Sequence, residues 1–285
     1  MTEADVTLHP WNCGFAWEPS PPPYRRLTAD QVAAFDRDGF VVVQDVFDPA
    51  TVAEVVGEID RFEAGVEAYL AGLDDQRIWI AEAGAITFTT HLVTRSTRLA
   101  AFARDPFFSG VCADLVGPDV NLYWDQAVYK KPEKPRRFPW HQDNGYAFVE
   151  PQQYLTFWVA LTDATADNGC PQVAPGRHRA GTLAHTYVEP LGWECFEDPG
   201  DVAVAEVGAG GVVVFSSLTP HLTGPNVTAD VRKAYILQYA PAGAEVLQGR
   251  PPGEPTGRTP ADDPDRQFPM VRAGEPLGPG DGPCT

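Results

Sequence analysis

The chain lacks any stretch of about 18 consecutive apolar residues, so no membrane span is expected. Basic residues are scarce: Lys+Arg 21 against Asp+Glu 39 gives 21 − 39 = −18. That balance argues against a general nucleic-acid binder, which needs a basic footprint to displace counterions. It also argues against an anionic membrane surface as partner. The five cysteines (Cys13, Cys112, Cys170, Cys195 and Cys284) contain no C-x-x-C pair, which disfavours a zinc ribbon or a thioredoxin-like site. Free thiols in a reducing compartment are the simpler expectation. The start, MTEADVTLHPWNCG, is acidic and has no apolar run, so no secretory leader is expected and the cytoplasm is the expected location. Long uninterrupted helices are not expected either. Gly 26 plus Pro 28 makes 54 of 285 residues, well above the usual share of roughly 12%.

What is present can build a full core, and at roughly 150 residues per domain the length fits one or two domains. Residues 1–26 form a leader ending in PSPPPYRR, which reads as extended polyproline. In LTADQVAAF, Thr28 and Gln31 fit a capping box, with Val32 and Phe35 on one helical face. DGFVVVQDV (38–46) reads as a buried strand. Asp48 caps a second helix that begins at Pro49 and carries Val52, Val55, Val56, Ile59 and Phe62 at spacings of three and four. Residues 64–95 show no clear period. Residues 96–117 read as helical, interrupted at Pro106. From Asn121 onward the pattern changes to strands between turns: 121–130, 154–163, 202–207, 210–217 and 232–240. Their spacing predicts a mainly antiparallel barrel or sandwich with flanking helices. Residues 241–285 hold 10 Pro and 8 Gly and read as a wrapping or mobile tail, not a second domain.

The chemistry-bearing residues lie in the strand-rich part. In WHQD, His141 and Asp143 are two apart, so an extended backbone presents imidazole and carboxylate to one side. Alone, such a pair is usually a solvated turn. A lone His at a strand end, such as His221, is usually a structural hydrogen-bonder, and a lone Arg such as Arg232 a surface cation. The combination weighs differently. H-x-D, a distal His221 at a strand end, and Arg232 eleven residues later across a Gly224-Pro225-Asn226 turn form the layout of a two-His-one-carboxylate facial site. Such a site suits non-haem Fe(II) and leaves positions open for substrate and O2. Arg232 would offer a forked partner to the C5 carboxylate of 2-oxoglutarate.

These segments, from LTADQVAAFDRDGFVVVQDVF through WHQD, FWVALTDATADNGCPQVAPGRHRAG and GGVVVFSSLTPHLTGPN to the Arg232 strand, resemble the phytanoyl-CoA dioxygenase family of Fe(II)/2-oxoglutarate oxygenases. The resemblance covers about residues 27–245, with residues 246–285 as a tail. It implies a double-stranded β-helix (jelly-roll, cupin-like) core. It implies iron held by His141, Asp143 and His221, and 2-oxoglutarate anchored by Arg232. By the same resemblance Trp158, Thr223 and Gln126 contact the cosubstrate. One departure is PGRHRAG, where the family usually has Ser in place of Arg177; it bears on that loop alone.

The implied activity is oxidation of a small organic or lipid-like molecule, most simply by hydroxylation, with formation of succinate and CO2 and with ascorbate as a supporting reductant. Desaturation, cyclisation and epimerisation need the same ligands and stay open. Two rivals are a catalytically silent cupin-like binding protein and a zinc hydrolase using the same three ligands; Arg232 counts against both. The basic cluster Lys130, Lys131, Lys134, Arg136 and Arg137 reads as a solvated loop face. His91 reads as structural, and His178 and His185 fit no ligand spacing. Tyr123, Trp124, Tyr129, Trp140, Tyr146 and Phe148 are expected mostly in the core. The sequence sets neither the substrate nor the oligomeric state.

Overall fold

The computed structural model describes residues 6–132 and 138–277. The first helix, α1 (Ala29–Asp38), opens on the Thr28/Gln31 capping box and buries Val32 and Phe35. It closes on Gly39 at φ 83°, where a Cβ would lie 2.5 Å from both His178 Nδ1 and Thr219 Oγ1. Only glycine satisfies that backbone and that close approach. The strand expected over 38–46 is therefore shorter, β1 (Phe40–Val43). Asp48 caps α2 (Pro49–Ala71), which buries Val55 and Ile59 and runs on through the first part of the segment without a readable period. The short strands β2 (Arg77–Ile78), β3 (Ala81–Glu82) and β4 (Ile86–Thr90) follow. Pro106 splits the next helical segment into α3 (Thr97–Phe102) and α4 (Pro106–Leu115), each with its own side-chain cap.

The remaining strands are β5 (Val120–Lys130), β6 (Val149–Glu150), β7 (Leu155–Ala160), β8 (Pro171–Val173), β9 (Thr186–Val188), β10 (Gly192–Glu194), β11 (Ala203–Val204), β12 (Val212–Ser216), β13 (His221–Thr223) and β14 (Arg232–Pro241). Four more complete the described chain: β15 (Glu245–Gln248), β16 (Gly257–Pro260), β17 (Pro269–Arg272) and β18 (Glu275–Pro276). The large antiparallel sheet runs β1-β12-β7-β14-β5-β4-β3-β2, with β17 also paired to β5. A smaller sheet, β11-β8-β13, shares an apolar cluster with it, Val173 of β8 packing with Trp158, Val213 and Ile236. Together the two sheets form the double-stranded β-helix that the resemblance implies, in keeping with the antiparallel barrel or sandwich expected from the strand pattern.

Strand register sorts side chains onto two faces with period two. On the helix-covered face, Val41, Val214, Phe157, Leu237 and Asp125 lie in one cross-strand row. That face and α1–α4 share the main apolar cluster, which includes Phe107, Phe108 and Tyr239. The barrel interior receives the alternate residues. One interior row is Phe40, Phe215, Thr156, Gln238 and Trp124. The next is Val42, Val213, Trp158, Ile236, Gln126 and Thr90. Two rows further along the strands lie Arg232, Lys130 and Ile86. Because β12 is covered on both faces, its sequence VVVFS is apolar without alternation and buried throughout.

Both flanking segments pack on this body. Leu8 bridges Leu183, and Met270 and Val271 are fully buried in the main cluster. Among the described residues no helix is long and apolar enough to cross a membrane. Cys13, Cys112, Cys170 and Cys195 are free thiols. Truncating Met270 leaves a void in a close-packed core, so Met270→Ala is expected to cost about 2–5 kcal/mol. A urea titration reads this as a lower midpoint; an unchanged midpoint would mean that β17 does not support the core.

Candidate active site

The site is set by a pair of backbone hydrogen bonds. His141 N–H donates to the His221 carbonyl at 3.0 Å, and His221 N–H donates to the His141 carbonyl at 2.9 Å. This isolated antiparallel bridge places two residues 80 positions apart directly opposite each other, with ring centroids 4.4 Å apart. Gln142 keeps the chain extended (φ −102°, ψ 145°), and Asp143 then begins a 3-10 turn, Asp143–Gly145. The H-x-D pair is therefore extended only as far as Asp143, and the turn lifts the carboxylate back over the imidazoles.

One ligand atom from each of His141, Asp143 and His221 lies within 4.8 Å of the other two. His141 Nδ1 lies 3.0 Å from the Pro139 carbonyl, and His221 Nδ1 lies 3.0 Å from the Thr219 carbonyl. A carbonyl only accepts, so both Nδ1 atoms carry the proton and both Nε2 lone pairs are left for a cation. Burial, reinforced by the neighbouring His221, holds His141 well below the usual imidazole range, in its neutral, ligating form. Thr156 donates its hydroxyl to Asp143 Oδ2, and Gln238 Nε2 donates to Thr156 Oγ1 at 3.3 Å. Asp143 Oδ1 is left facing His221 Nε2 at 3.9 Å. Two neutral imidazoles and one oriented carboxylate are a donor set that fits a divalent transition metal such as Fe(II).

Three groups that support this arrangement carry no signal in the sequence. Gln142, pointing away from the ligands, donates to the Gly181 carbonyl at 3.0 Å and accepts from Leu183 N at 2.6 Å. His185 Nε2 accepts from Gln142 N at 3.0 Å while its Nδ1 faces the Leu183 carbonyl, which fixes its tautomer. A Cβ on Gly145 would fall 2.1 Å from the His185 ring, so the turn and the histidine are mutually fitted. His185 is thus brought beside His141, Asp143 and His221 without joining their cluster. His178 is buried elsewhere, edge-on to Trp17 at 4.4 Å.

Arg232 is 1% exposed and donates from Nη1 to the Val128 carbonyl at 3.2 Å. Its guanidinium carbon lies 5.0 Å from the centre of the Trp158 ring, within cation–π range. Trp158 and Gln126 share the interior row between the Thr156 row, which carries the partner of Asp143, and Arg232. Gln126 is half-buried, and its carboxamide makes no hydrogen bond to the described residues. Thr223, two residues after His221 on β13, is half-buried, and its carbonyl accepts from Lys130 Nζ at 2.9 Å. Lys130 corrects the reading of the basic cluster as a solvated face. It is fully buried, bonded to the Thr223 and Gly224 carbonyls, with its ammonium 3.3 Å from the Phe138 ring centre. Lys131 pairs with Glu67 at 2.7 Å; Lys134, Arg136 and Arg137 lie outside the described residues. Of the aromatics, Tyr129, Trp140 and Phe148 are core, whereas Tyr146 is 52% exposed and sits edge-on to His141 at 5.3 Å.

The family model for phytanoyl-CoA dioxygenase (PhyH) matches residues 35–234. The chain belongs to the phytanoyl-CoA dioxygenase family. An ectoine dioxygenase of Sphingopyxis alaskensis is 27% identical over 235 residues, covering 75% of this chain and 76% of that protein. A crystal structure of the epimerase SnoN in complex with Fe3+, alpha ketoglutarate and nogalamycin RO is 25% identical, with a TM-score of 0.62 over 88% of this chain and 95% of that one. EctD from S. alaskensis, solved with 2-oxoglutarate and 5-hydroxyectoine, has a TM-score of 0.66 over 89% and 90% of the two chains. At 23% identity that likeness concerns the fold. The matched span lies inside the 27–245 drawn from the resemblance.

Two outcomes are expected of this family member. Thr156→Val removes the hydroxyl that orients Asp143 and should weaken Fe(II) or Co(II) binding by about 10–100-fold, while Thr156→Ser retains it. Metal titration followed by absorbance or calorimetry checks this, and equal affinity in the Val variant would contradict it. The second concerns pH. Burial pushes both His178 and His185 down to about 4. Unfolded histidine titrates near 6.5, so between about 4 and 6.5 the unfolded chain binds more protons. This stabilisation is full above about 6.5 and is lost as pH falls toward 4. The urea midpoint should be lower at pH 5.0 than at pH 7.5, and the double variant His178→Gln/His185→Gln should show a smaller difference.

Proposed function

We propose that the protein is an Fe(II)- and 2-oxoglutarate-dependent oxygenase that oxidises a small organic molecule, with His141, Asp143 and His221 as metal ligands. The observation that carries this reading is the convergence of the three ligand atoms, with both imidazoles in the Nε2-free tautomer. The membership of the family and the named activities of its relatives agree with it. Bound iron with 2-oxoglutarate would supply the oxidising power to break an unactivated C–H bond, with O2 consumed and succinate and CO2 released.

The chain's own residues supply position, charge and dryness. The His141–His221 bridge holds two ligands at fixed separation, and the Gln238–Thr156 pair turns one carboxylate oxygen toward them. Arg232 lies along the strands from the ligands, where a forked guanidinium pairs with the distal carboxylate of 2-oxoglutarate. Trp158 covers its face, and Gln126 and Thr223 offer hydrogen-bonding groups on either side. The apolar interior around Trp158, Val213 and Ile236 keeps water out and strengthens the Arg232–carboxylate pair. Hydroxylation is the simplest outcome, because hydrogen removal followed by oxygen return needs no further residue. The free thiols accord with a reducing, cytoplasmic compartment.

The test is succinate release with Fe(II), ascorbate and 2-oxoglutarate across candidate small molecules. His221→Ala should abolish it. Arg232→Leu should raise the 2-oxoglutarate requirement about 30-fold or more while metal binding persists, the equivalent of about 2 kcal/mol for truncating one partner of a buried charge pair. Full activity of His221→Ala would remove the metal assignment, and an unchanged 2-oxoglutarate titration in Arg232→Leu would move the anchor elsewhere.

A further inference from the structure

The row of interior residues that supports Asp143 continues past the site. From Thr156 it passes to Gln238 and then Trp124, two strand spacings or on the order of 10 Å away. His91, held at φ 54°, packs edge-on against Trp124 at 4.4 Å. The pairing of β5 with β14 shifts here, between Gln238 and Tyr239, leaving Tyr123 as the extra residue. The C-terminal segment is pinned across that bulge. Leu122 N donates to the Phe268 carbonyl at 2.9 Å, and Gln267 Nε2 donates to the Tyr123 carbonyl at 3.3 Å. Arg266 immediately precedes these two residues.

The polar groups collected here are not satisfied internally. Arg266 Nε and His91 Nδ1 are shielded from solvent and have no hydrogen-bond partner among the described residues. The ion-pair neighbour of Arg266 among those residues, Asp263, stands 3.6 Å from Nε, beyond a good hydrogen bond. Native proteins rarely leave shielded polar atoms unmatched without a ligand or water to meet them. Burial, and secondarily the Arg266 charge, lowers the His91 pKa, so His91 presents a neutral ring and Arg266 the fixed charge.

We infer that Arg266 and His91 form a second anion site, beside Trp124, which takes a carboxylate of the primary substrate. The inference rests on the oxygenase reading above and narrows its substrate class to small carboxylic acids with an apolar or ring-bearing middle. Geometry separates this site from the cosubstrate's. Arg232 lies along the strands from Thr156, whereas Arg266 lies across them, next to the residues that bond Leu122 and Tyr123 of β5. A molecule whose charged end meets Arg266 and whose middle rests on Trp124 extends back toward the Asp143 side of the barrel, where its reacting carbon belongs.

The probe is a panel of small ring-bearing carboxylic acids, each paired with its primary carboxamide. Binding is measured by ligand-observed NMR on full-length protein supplied with Zn(II) and 2-oxoglutarate. At least one acid should bind tenfold or more tightly than its amide. Arg266→Gln should bring that ratio to about one, and Arg266→Lys should restore part of it. A wild-type panel in which no acid outbinds its amide overturns the inference, as does a preference that survives Arg266→Gln. A preference abolished by Arg232→Leu and kept in Arg266→Gln would place the acids in the cosubstrate site and also overturn it. The oxygenase reading fails separately, on metal and 2-oxoglutarate titrations that show no binding to the wild-type protein.

Discussion

Two backbone hydrogen bonds between His141 and His221 are the constraint on which the rest of the site depends. They bring one imidazole from each side of an 80-residue excursion into a single narrow pair, and no side-chain choice substitutes for them. Everything around the pair acts to keep the bridge in place. Gln142, between the ligands in sequence, is fully buried and spends its amide on the backbone of residues 181–183 and 218. Asn144 does the same one turn later, accepting from Val149 N at 2.9 Å and donating to Thr182 Oγ1 at 2.6 Å. A buried polar side chain is costly unless its bonds are made, so these residues fix the loop as firmly as they are themselves satisfied.

The barrel interior explains the electrostatic arrangement. An imidazole surrounded by protein stays neutral, and a carboxylate there needs a donor. Both conditions are met before any cation arrives, through the Nδ1–carbonyl bonds and the Thr156 hydroxyl. Preorganisation of this kind leaves little to reorder on binding. The interior also carries two buried cations, Arg232 and Lys130, in a protein whose formal net charge is −18. Lys130 spends its charge on the carbonyls of Thr223 and Gly224 at the end of β13, and so shapes the end of the barrel interior that Arg232 occupies.

Much of this was legible in the residues. The helix starts at Thr28 and Asp48 are local side-chain chemistry, and local chemistry is readable. The spacing of His141, Asp143, His221 and Arg232, with strand patterns on either side, carried the site. What was not legible depends on contacts between distant segments. Residues 64–95 alternate neither at two nor at 3.6 because helix α2 ends within them and three very short strands follow. Thr156 lies inside the apolar run YLTFWVAL, where a single threonine reads as strand propensity, not as a carboxylate's partner. His185 shares no spacing with the ligands, because it reaches them through the backbone of Gln142. Lys130 is one lysine in a basic run, and only the fold shows that it is buried.

The C-terminal segment, read from composition as wrapping or mobile, lies against the body over its described residues. Proline and glycine at high density suppress helix and strand patterns in the sequence, yet such a chain can still be held by short strands and a few buried side chains. Here Phe268, Met270 and Val271 are buried against α4 and β5, and the backbone of 267–272 completes the edge that β5 would otherwise expose. A strand that covers the exposed start of another needs no alternating sequence of its own, only a few apolar side chains in register. The same covering places Arg266 directly before Gln267 and Phe268, which bond the β5 backbone at its bulge. The packing of this sheet edge and the position of Arg266 are therefore set by the same stretch of chain.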